Sequence, residues 1–217
     1  MMRTYFSNRF APIRPRLASV FRAAISHWHS RRFMGKKPAI IFTDIFKRRE
    51  WGGEESASGT GSTQNQTAGL RAKPPEFLRD LAVDSLLDAP CGDYFWMRLI
   101  DLPIKRYMGI DIVPALIESN CNLYSTDRTS FRCVDLILDS LPPADFILCR
   151  DYLVHFSYRN IWAAFRNFKA SGAKYLATTT FPSHTLNTDC FAGHWRPLNL
   201  QCAPFFLPEP DHLMIEG

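Results

Sequence analysis

Leu86-Leu87-Asp88-Ala89-Pro90-Cys91-Gly92-Asp93 closes a short apolar run with a proline–glycine turn. A strand that ends in a tight turn is where a nucleoside or dinucleotide sits, because glycine lets the backbone approach the ligand. The G-x-G-x-x-G spacing is absent: Pro90 stands in the first glycine position and Gly92 remains. A pyrophosphate uses several close backbone contacts, so this turn argues against NAD. By itself a strand–Pro–Gly turn is also just a turn. Its meaning depends on what lies on either side.

Downstream, short apolar runs alternate with helical segments. Residues 84–89, 106–111, 130–134, 144–149 and 174–181 are strand-like, and 75–83, 113–123 and 157–169 are helical. In the last helix Ser157 is a candidate N-cap, Ile161, Phe165 and Phe168 share a face, and Gly172 is the stop. This alternation predicts βαβ units, a mostly parallel sheet and helices on both of its faces. Ligands of such sheets bind beyond the carboxyl ends of the strands. Residues 50–67, rich in Gly, Ser and Thr, are a loop or linker by composition.

Three of the strand ends carry an acid: Asp88, Asp111 in Gly109-Ile110-Asp111, and Asp135 in Cys133-Val134-Asp135. Asp111 lies 23 residues after Asp88, room for one helix and one strand. An acid there can accept hydrogen bonds from both hydroxyls of a ribose, or it can cap the next helix. Asp135 can meet the exocyclic amine of an adenine, or serve a turn. Together the three point to a nucleoside site.

These residues resemble the class I S-adenosylmethionine-dependent methyltransferases over roughly 40–210. LLDAPCGD (86–93), GID (109–111), VD (134–135) and ADFILCRDYLVH (144–155) carry the likeness. FTDIFKRREWGG (42–53), SGTGS (58–62), TTTFP (178–182) and WRPLNLQ (195–201) are similar, more narrowly, to a bacterial-type subgroup. The resemblance implies an α/β, Rossmann-like class I methyltransferase fold with S-adenosylmethionine as cofactor. It implies that Asp88 and Gly92 hold the amino-acid end of the cofactor, directly or through water, Asp111 the ribose and Asp135 the adenine, with Pro90, Ile112 and Leu136 as further cofactor-binding residues. Gly59 and Ser62 of the SGTGS loop would fold over the methionine part, and Arg150 would bind the cofactor carboxylate or an anionic substrate.

Methyl transfer needs an acceptor in line with the methyl group and often a base for its proton. Asp151 and His155 follow the fourth strand of the domain, four residues apart. If 151–156 is helical they share a face. His155 is then the base and Asp151 orients it or the substrate; alternatively His155 packs under the next helix and Asp151 caps it. His194–Asn199 is a candidate wall of the acceptor pocket, with packing by Trp195 and a surface charge on Arg196 as the plainer reading. Cys190 and His194 have ligand-like spacing without partners, and no C-x-x-C pair occurs, so no metal site is expected.

The charge is uneven. Residues 1–43 contain nine Lys or Arg and no acid. Of 26 basic residues 17 remain against 21 acidic, so the net charge of +5 belongs to the extension and the body carries −4. Leu17, Val20, Phe21, Ala24 and Trp28 line one face of a helix there. Residues 1–38 are thus expected to be a basic amphipathic extension, and 39–217 the methyltransferase-like domain. The extension is a targeting segment, a helix on an anionic membrane surface giving peripheral contact, or a loosely docked tail. Its removal is expected to leave cofactor binding intact. With no signal peptide evident the expected location is the cytoplasm, or an organelle reached through residues 1–37 if the chain is eukaryotic. No nucleic-acid partner is expected, because base-stacking signatures are missing.

Only residues 182–217 follow Phe181. DHLMI (211–215) is a candidate sixth strand, and nothing remains for the seventh that the resemblance places beside the fifth. The fold is therefore expected to be C-terminally shortened, with an exposed sheet edge and marginal solubility. The function expected is methyl transfer to a small-molecule or glycan- or lipid-linked acceptor. The alternatives are a non-catalytic protein that binds S-adenosylmethionine or a nucleoside, favoured by the missing strand, and a nicotinamide-dependent oxidoreductase, disfavoured by the single-glycine turn.

Overall fold

The computed structural model describes residues 5–8 and 32–216. The amphipathic helix expected around residues 17–28 lies outside them. Seven strands form one sheet: β1 (Tyr5–Asn8), β2 (Ser85–Asp88), β3 (Arg106–Asp111), β4 (Thr129–Cys133), β5 (Phe146–Cys149), β6 (Tyr175–Thr180) and β7 (Leu213–Glu216). Their order is β4-β3-β2-β5-β6-β1-β7, and every pairing is parallel. From β2 the chain winds outward through β3 and β4, then returns to the other side for β5 and β6. The order thus reverses between β2 and β5, where ligands of open α/β sheets bind.

Strand alternation splits the core into two layers. Leu87, Ile147, Cys149 and Leu176 face one way and pack with α1 (Pro38–Arg48) and α5 (Tyr158–Ala170). Leu86, Phe146, Leu148 and Ala177 face the other way and pack with α2 (Ala68–Ala72) and α3 (Pro74–Asp80). α4 (Pro114–Tyr124) sends Leu116 to the first layer and Ile117 to the second. The β2–β6 strands and the α3–α5 helices fall within two residues of the sequence expectation, except that α3 ends three residues early at Asp80. The Ser157 Oγ accepts from the Asn160 amide as the expected N-cap.

Two features differ from the expectation. Residues 38–48 are a helix, begun by Pro38 and closed by Arg49 in the left-handed region, with Ile41, Phe42 and Ile45 buried. The sheet also has no open edge at β6. Tyr5–Ser7 pair with Thr178–Thr180 of β6 on one side, and Tyr5–Asn8 pair with Leu213–Glu216 of β7 on the other. Residues 5–8 thus sit between β6 and β7, in parallel with both. The exposed edge behind the expected low solubility is therefore filled. Within the segment expected to be an extension, residues 5–8 pair in the sheet and Phe33 lies in the core.

Because β1 pairs on both sides, each of its interior amides faces a neighbouring strand, and a proline there removes a ladder hydrogen bond. Phe6→Pro is expected to cost roughly 1–3 kcal/mol relative to Phe6→Val, lowering Tm by several degrees. Identical melting of the two variants in scanning calorimetry would remove β1 from the sheet.

Candidate active site

A cavity of about 470 Å³ opens at the carboxyl ends of β2, β3 and β5. Asp88, Pro90, Gly92, Asp111 and Ile112 line one end of it. The turn after β2 is tied to β3: the Cys91 amide donates to the Ile110 carbonyl at 2.9 Å. The Gly92 amide donates to Asp111 Oδ2 at 3.1 Å and the Val113 amide to Oδ1 at 2.9 Å. The Asp111 carboxylate thus accepts backbone bonds on both oxygens. Burial pushes Asp111 up to about 6, against the backbone bonds that favour its charge. Asp88 accepts the Tyr107 hydroxyl at 2.6 Å, yet burial pushes it up to about 7.

The loop at residues 56–62 forms the cover of this end, and Gly59 and Ser62 both line the cavity. Its clamp is Asp93, which the sequence reading left without a role. The Asp93 carboxylate accepts from Ser56 Oγ at 2.9 and 3.0 Å and from the Ala57 amide at 2.7 Å. Ser58 Oγ in turn accepts from the Asp93 amide at 3.2 Å. Gly92 has φ +54, and a Cβ there would lie 2.1 Å from Ser58 Oγ. Glycine is therefore required both by the backbone and by the loop seated on it.

Arg150 sits at the end of β5 with its guanidinium buried. Nε and Nη2 donate to Glu216 at 2.9–3.2 Å, Nη2 also donates to the Gly61 carbonyl at 2.8 Å, and Nη1 lies 3.2 Å from Asp151. Burial opposes the charge, but Asp151 and Glu216 hold the Arg150 pKa above its ordinary value. Burial raises Glu216 while Arg150 opposes the rise. Arg150 is therefore a tie between β7, the cover loop and Asp151 rather than a free anion ligand.

Asp151 and His155 both line the cavity, but not as one helical face. Asp151 has φ +51, and only Leu153–His155 form a 3₁₀ turn. The strained backbone of Asp151 is pinned by Thr179, whose Oγ1 accepts from the Asp151 amide at 2.8 Å and donates to its carboxylate at 3.1 Å. What orients His155 is the carbonyl of His194, 2.9 Å from Nδ1. A carbonyl only accepts, so Nδ1 carries the proton and Nε2 is the acceptor of the neutral ring. Burial lowers the His155 pKa while the His194 carbonyl opposes.

The far end of the cavity is aromatic. Phe42 and Phe46 of α1, with Trp51, Phe181 and Trp195, line it beside His155. The Trp51 and Phe42 rings lie 5.3 and 6.3 Å from the imidazole, and Trp195 meets Phe181 edge-on at 5.8 Å. Of the segment 194–199, Trp195 is pocket wall, but Arg196 is not a surface charge. It is buried and donates to the carbonyls of Leu153, Val154, Phe156 and Thr188. Asn199 ties the carbonyls of Pro182 and His184.

Asp135 and Leu136 do not join the cavity. The Asp135 carboxylate accepts the amides of Ile137 and Leu138 in a turn, and Leu136 is core. Ile112, Val113 and Leu116 form the apolar wall beside Asp111 instead. No group of side chains suited to a metal ion occurs among the described residues.

No protein-family model and no curated protein matches this chain. Solved structures do. DhpI in complex with S-adenosylhomocysteine aligns at a TM-score of 0.52 and 16% identity over 76% of this chain and 83% of DhpI. N-methyltransferase NodS from Bradyrhizobium japonicum WM9, also with S-adenosylhomocysteine, aligns at 0.46 and 20% identity over 59% of this chain. Magnesium protoporphyrin IX methyltransferase ChlM from Synechocystis PCC 6803 aligns at 0.40 and 15% over 60%. This chain spans 66% of the NodS chain and 66% of the ChlM chain, just under two thirds. Its fold is the Rossmann-like fold of the class I S-adenosylmethionine-dependent methyltransferases.

The raised pKa of Asp88 sets a sign for stability. A carboxyl that titrates near 7 when folded and near 4 when unfolded binds its proton more tightly in the fold. Stability from this group is therefore complete below about pH 4 and falls as pH rises to about 7. Asp88→Asn keeps an oxygen for Tyr107 and removes the titration. Its Tm is expected to exceed that of the parent at pH 8 by a few degrees, with the difference vanishing near pH 4. A constant difference across that range would contradict a buried, proton-loving Asp88.

Proposed function

We propose that this protein is an S-adenosylmethionine-dependent methyltransferase acting on a small-molecule acceptor, with His155 as the base. The observation that carries it is the constellation at the Asp111 end of the cavity. A carboxylate fixed by backbone amides on both oxygens lines the cavity beside a glycine turn and an apolar wall, at the point where the strand order reverses. That donor set fits a ribose with its two hydroxyls and a flat base beside it. S-adenosylmethionine would supply an electrophilic methyl carbon, whose bond to sulfur breaks with the electron pair left on sulfur as the acceptor atom bonds to carbon.

The chain's residues then have separate tasks. Asp111 accepts the ribose hydroxyls, and Ile112, Val113 and Leu116 shelter the base. The loop holding Gly59 and Ser62 excludes water from the reacting end, with Asp93 and Arg150 keeping it shut. Asp88, its pKa pushed up to about 7 by burial, shapes the turn through Tyr107. His155 is neutral near pH 7 and presents Nε2 to an acceptor proton. The non-catalytic alternative drew its support from a missing strand, and β1 fills that place.

Calorimetry with S-adenosylmethionine tests the donor half. Because Asp111 must be charged to accept from both hydroxyls, affinity is expected to fall as pH drops through about 6. Asp111→Ala is expected to weaken binding by at least about tenfold. Labelled S-adenosylmethionine with fractionated cell extract tests the transfer. There His155→Ala is expected to bind the donor normally and lose ~10²–10⁴ in turnover. Absence of donor binding to the parent protein would overturn the reading.

A further inference from the structure

The aromatic end of the cavity narrows the acceptor, given the reading above that a methyl donor occupies the Asp111 end. Phe42, Phe46, Trp51, Phe181 and Trp195 line it, and Trp195 remains 53% exposed at its mouth. These rings form one neighbourhood. The Trp51 ring lies 5.3 Å from His155, and the segment holding Trp195 is bonded to the His155 turn through Gly193, His194 and Arg196. Exposed aromatic faces around a cavity favour a flat, apolar ligand.

Charge excludes a large class of alternatives. Among the described lining residues Arg150 is the one cation, and its guanidinium is committed to Glu216, Asp151 and the Gly61 carbonyl. Asp88, Asp111 and Asp151 are the lining acids. A phosphate or carboxylate on the acceptor would find no free side-chain cation among the described lining residues. A ring carrying many hydroxyls fares little better. The five rings offer its hydroxyls no acceptor, so each one set against them would exchange water for hydrocarbon.

One polar group, by contrast, is well served. His155 Nδ1 is anchored on the His194 carbonyl, so Nε2 can accept one proton and no more. An aromatic hydroxyl titrates near 10, within reach of a neutral imidazole as base. We propose that the acceptor is an uncharged planar aromatic compound, packed against Trp51 and Trp195, whose single reacting hydroxyl bonds His155 Nε2. As the oxygen reacts, its O–H bond breaks with the electron pair kept on oxygen. The proton goes to Nε2, and the resulting imidazolium gains from the nearby Asp151 charge.

The test uses the full chain saturated with S-adenosylhomocysteine and three probes: 2-naphthol, 2-naphthoate and methyl glucoside. Binding is read by calorimetry and by quenching of tryptophan fluorescence. The expected result is that 2-naphthol binds and quenches, that 2-naphthoate binds at least about tenfold more weakly, and that the glucoside gives no heat. Trp195→Ala is expected to weaken 2-naphthol at least about tenfold, with Trp195→Phe restoring most of it. Both variants should bind S-adenosylhomocysteine as the parent does. Naphthoate or glucoside binding as tightly as 2-naphthol, or 2-naphthol failing to bind, overturns the assignment of acceptor. So does a Trp195→Ala protein that binds 2-naphthol normally. Failure of S-adenosylhomocysteine itself to bind overturns the donor reading, and this one with it.

Discussion

A buried guanidinium joins the parts of this molecule that must act together. Arg150 leaves the end of β5 at the point where the strand order reverses, and it meets Glu216 of β7, the Gly61 carbonyl of the cover loop and the Asp151 carboxylate. A cation out of water is tolerated only when it is fully paired, and removing one partner of such a pair costs about 3–5 kcal/mol. The pairing therefore constrains the sheet as well as the loop. Glu216 reaches Arg150 because β7 is in register with β1, where Asn8 stands opposite Glu216. The first described strand of the chain thus helps to place a carboxylate at the edge of the cavity more than 200 residues later.

The cavity itself divides by the origin of its walls. Its polar end is built from strand ends and the turns after them: Asp88, Gly92 and Asp111 are fixed by the β2–β3 register and by backbone amides. Its aromatic end is built from segments between strands: α1, the stretch at Trp51, the turn after β6 and the segment at Trp195. The first kind of wall is dictated by the parallel sheet and recurs wherever this fold does. The second kind depends on side chains that the sheet does not specify. Fold likeness therefore bears on the polar end and is silent about the aromatic one, which has to be argued from the rings and charges of this chain.

The same division explains what the sequence disclosed. The central strands were legible because each apolar run stops at a charged residue, as Leu86-Leu87 does at Asp88 and Phe146–Cys149 at Arg150. Gly59 and Ser62 were legible as loop, and the structure sets both on the cavity. The clamp was not: Asp93 reaches serines 35 and 37 positions earlier, and no local pattern marks a contact of that span. α1 carried signals that went unused, a proline at its start and basic residues at its end. β1 carried none, since four residues without alternation become a strand only when β6 and β7 leave a gap between them. Asp135 shows how an acid after a strand can serve a turn: its Oδ1 accepts the amides of Ile137 and Leu138.

His155 shows how a short loop can fix the orientation of an imidazole. A three-residue 3₁₀ turn has little rigidity of its own, and its last carbonyls lack helical partners. Here Arg196 supplies them, donating to the carbonyls of Leu153, Val154 and Phe156. The Arg196 amide also bonds the Val154 carbonyl and the Gly193 amide bonds that of His155. The backbone bearing the imidazole is therefore paired with a second segment, and that segment provides the His194 carbonyl that selects the tautomer. A charged side chain buried among carbonyls serves the site without entering it. Its loss would free the turn, and with it the one ring nitrogen whose direction decides where a proton can go.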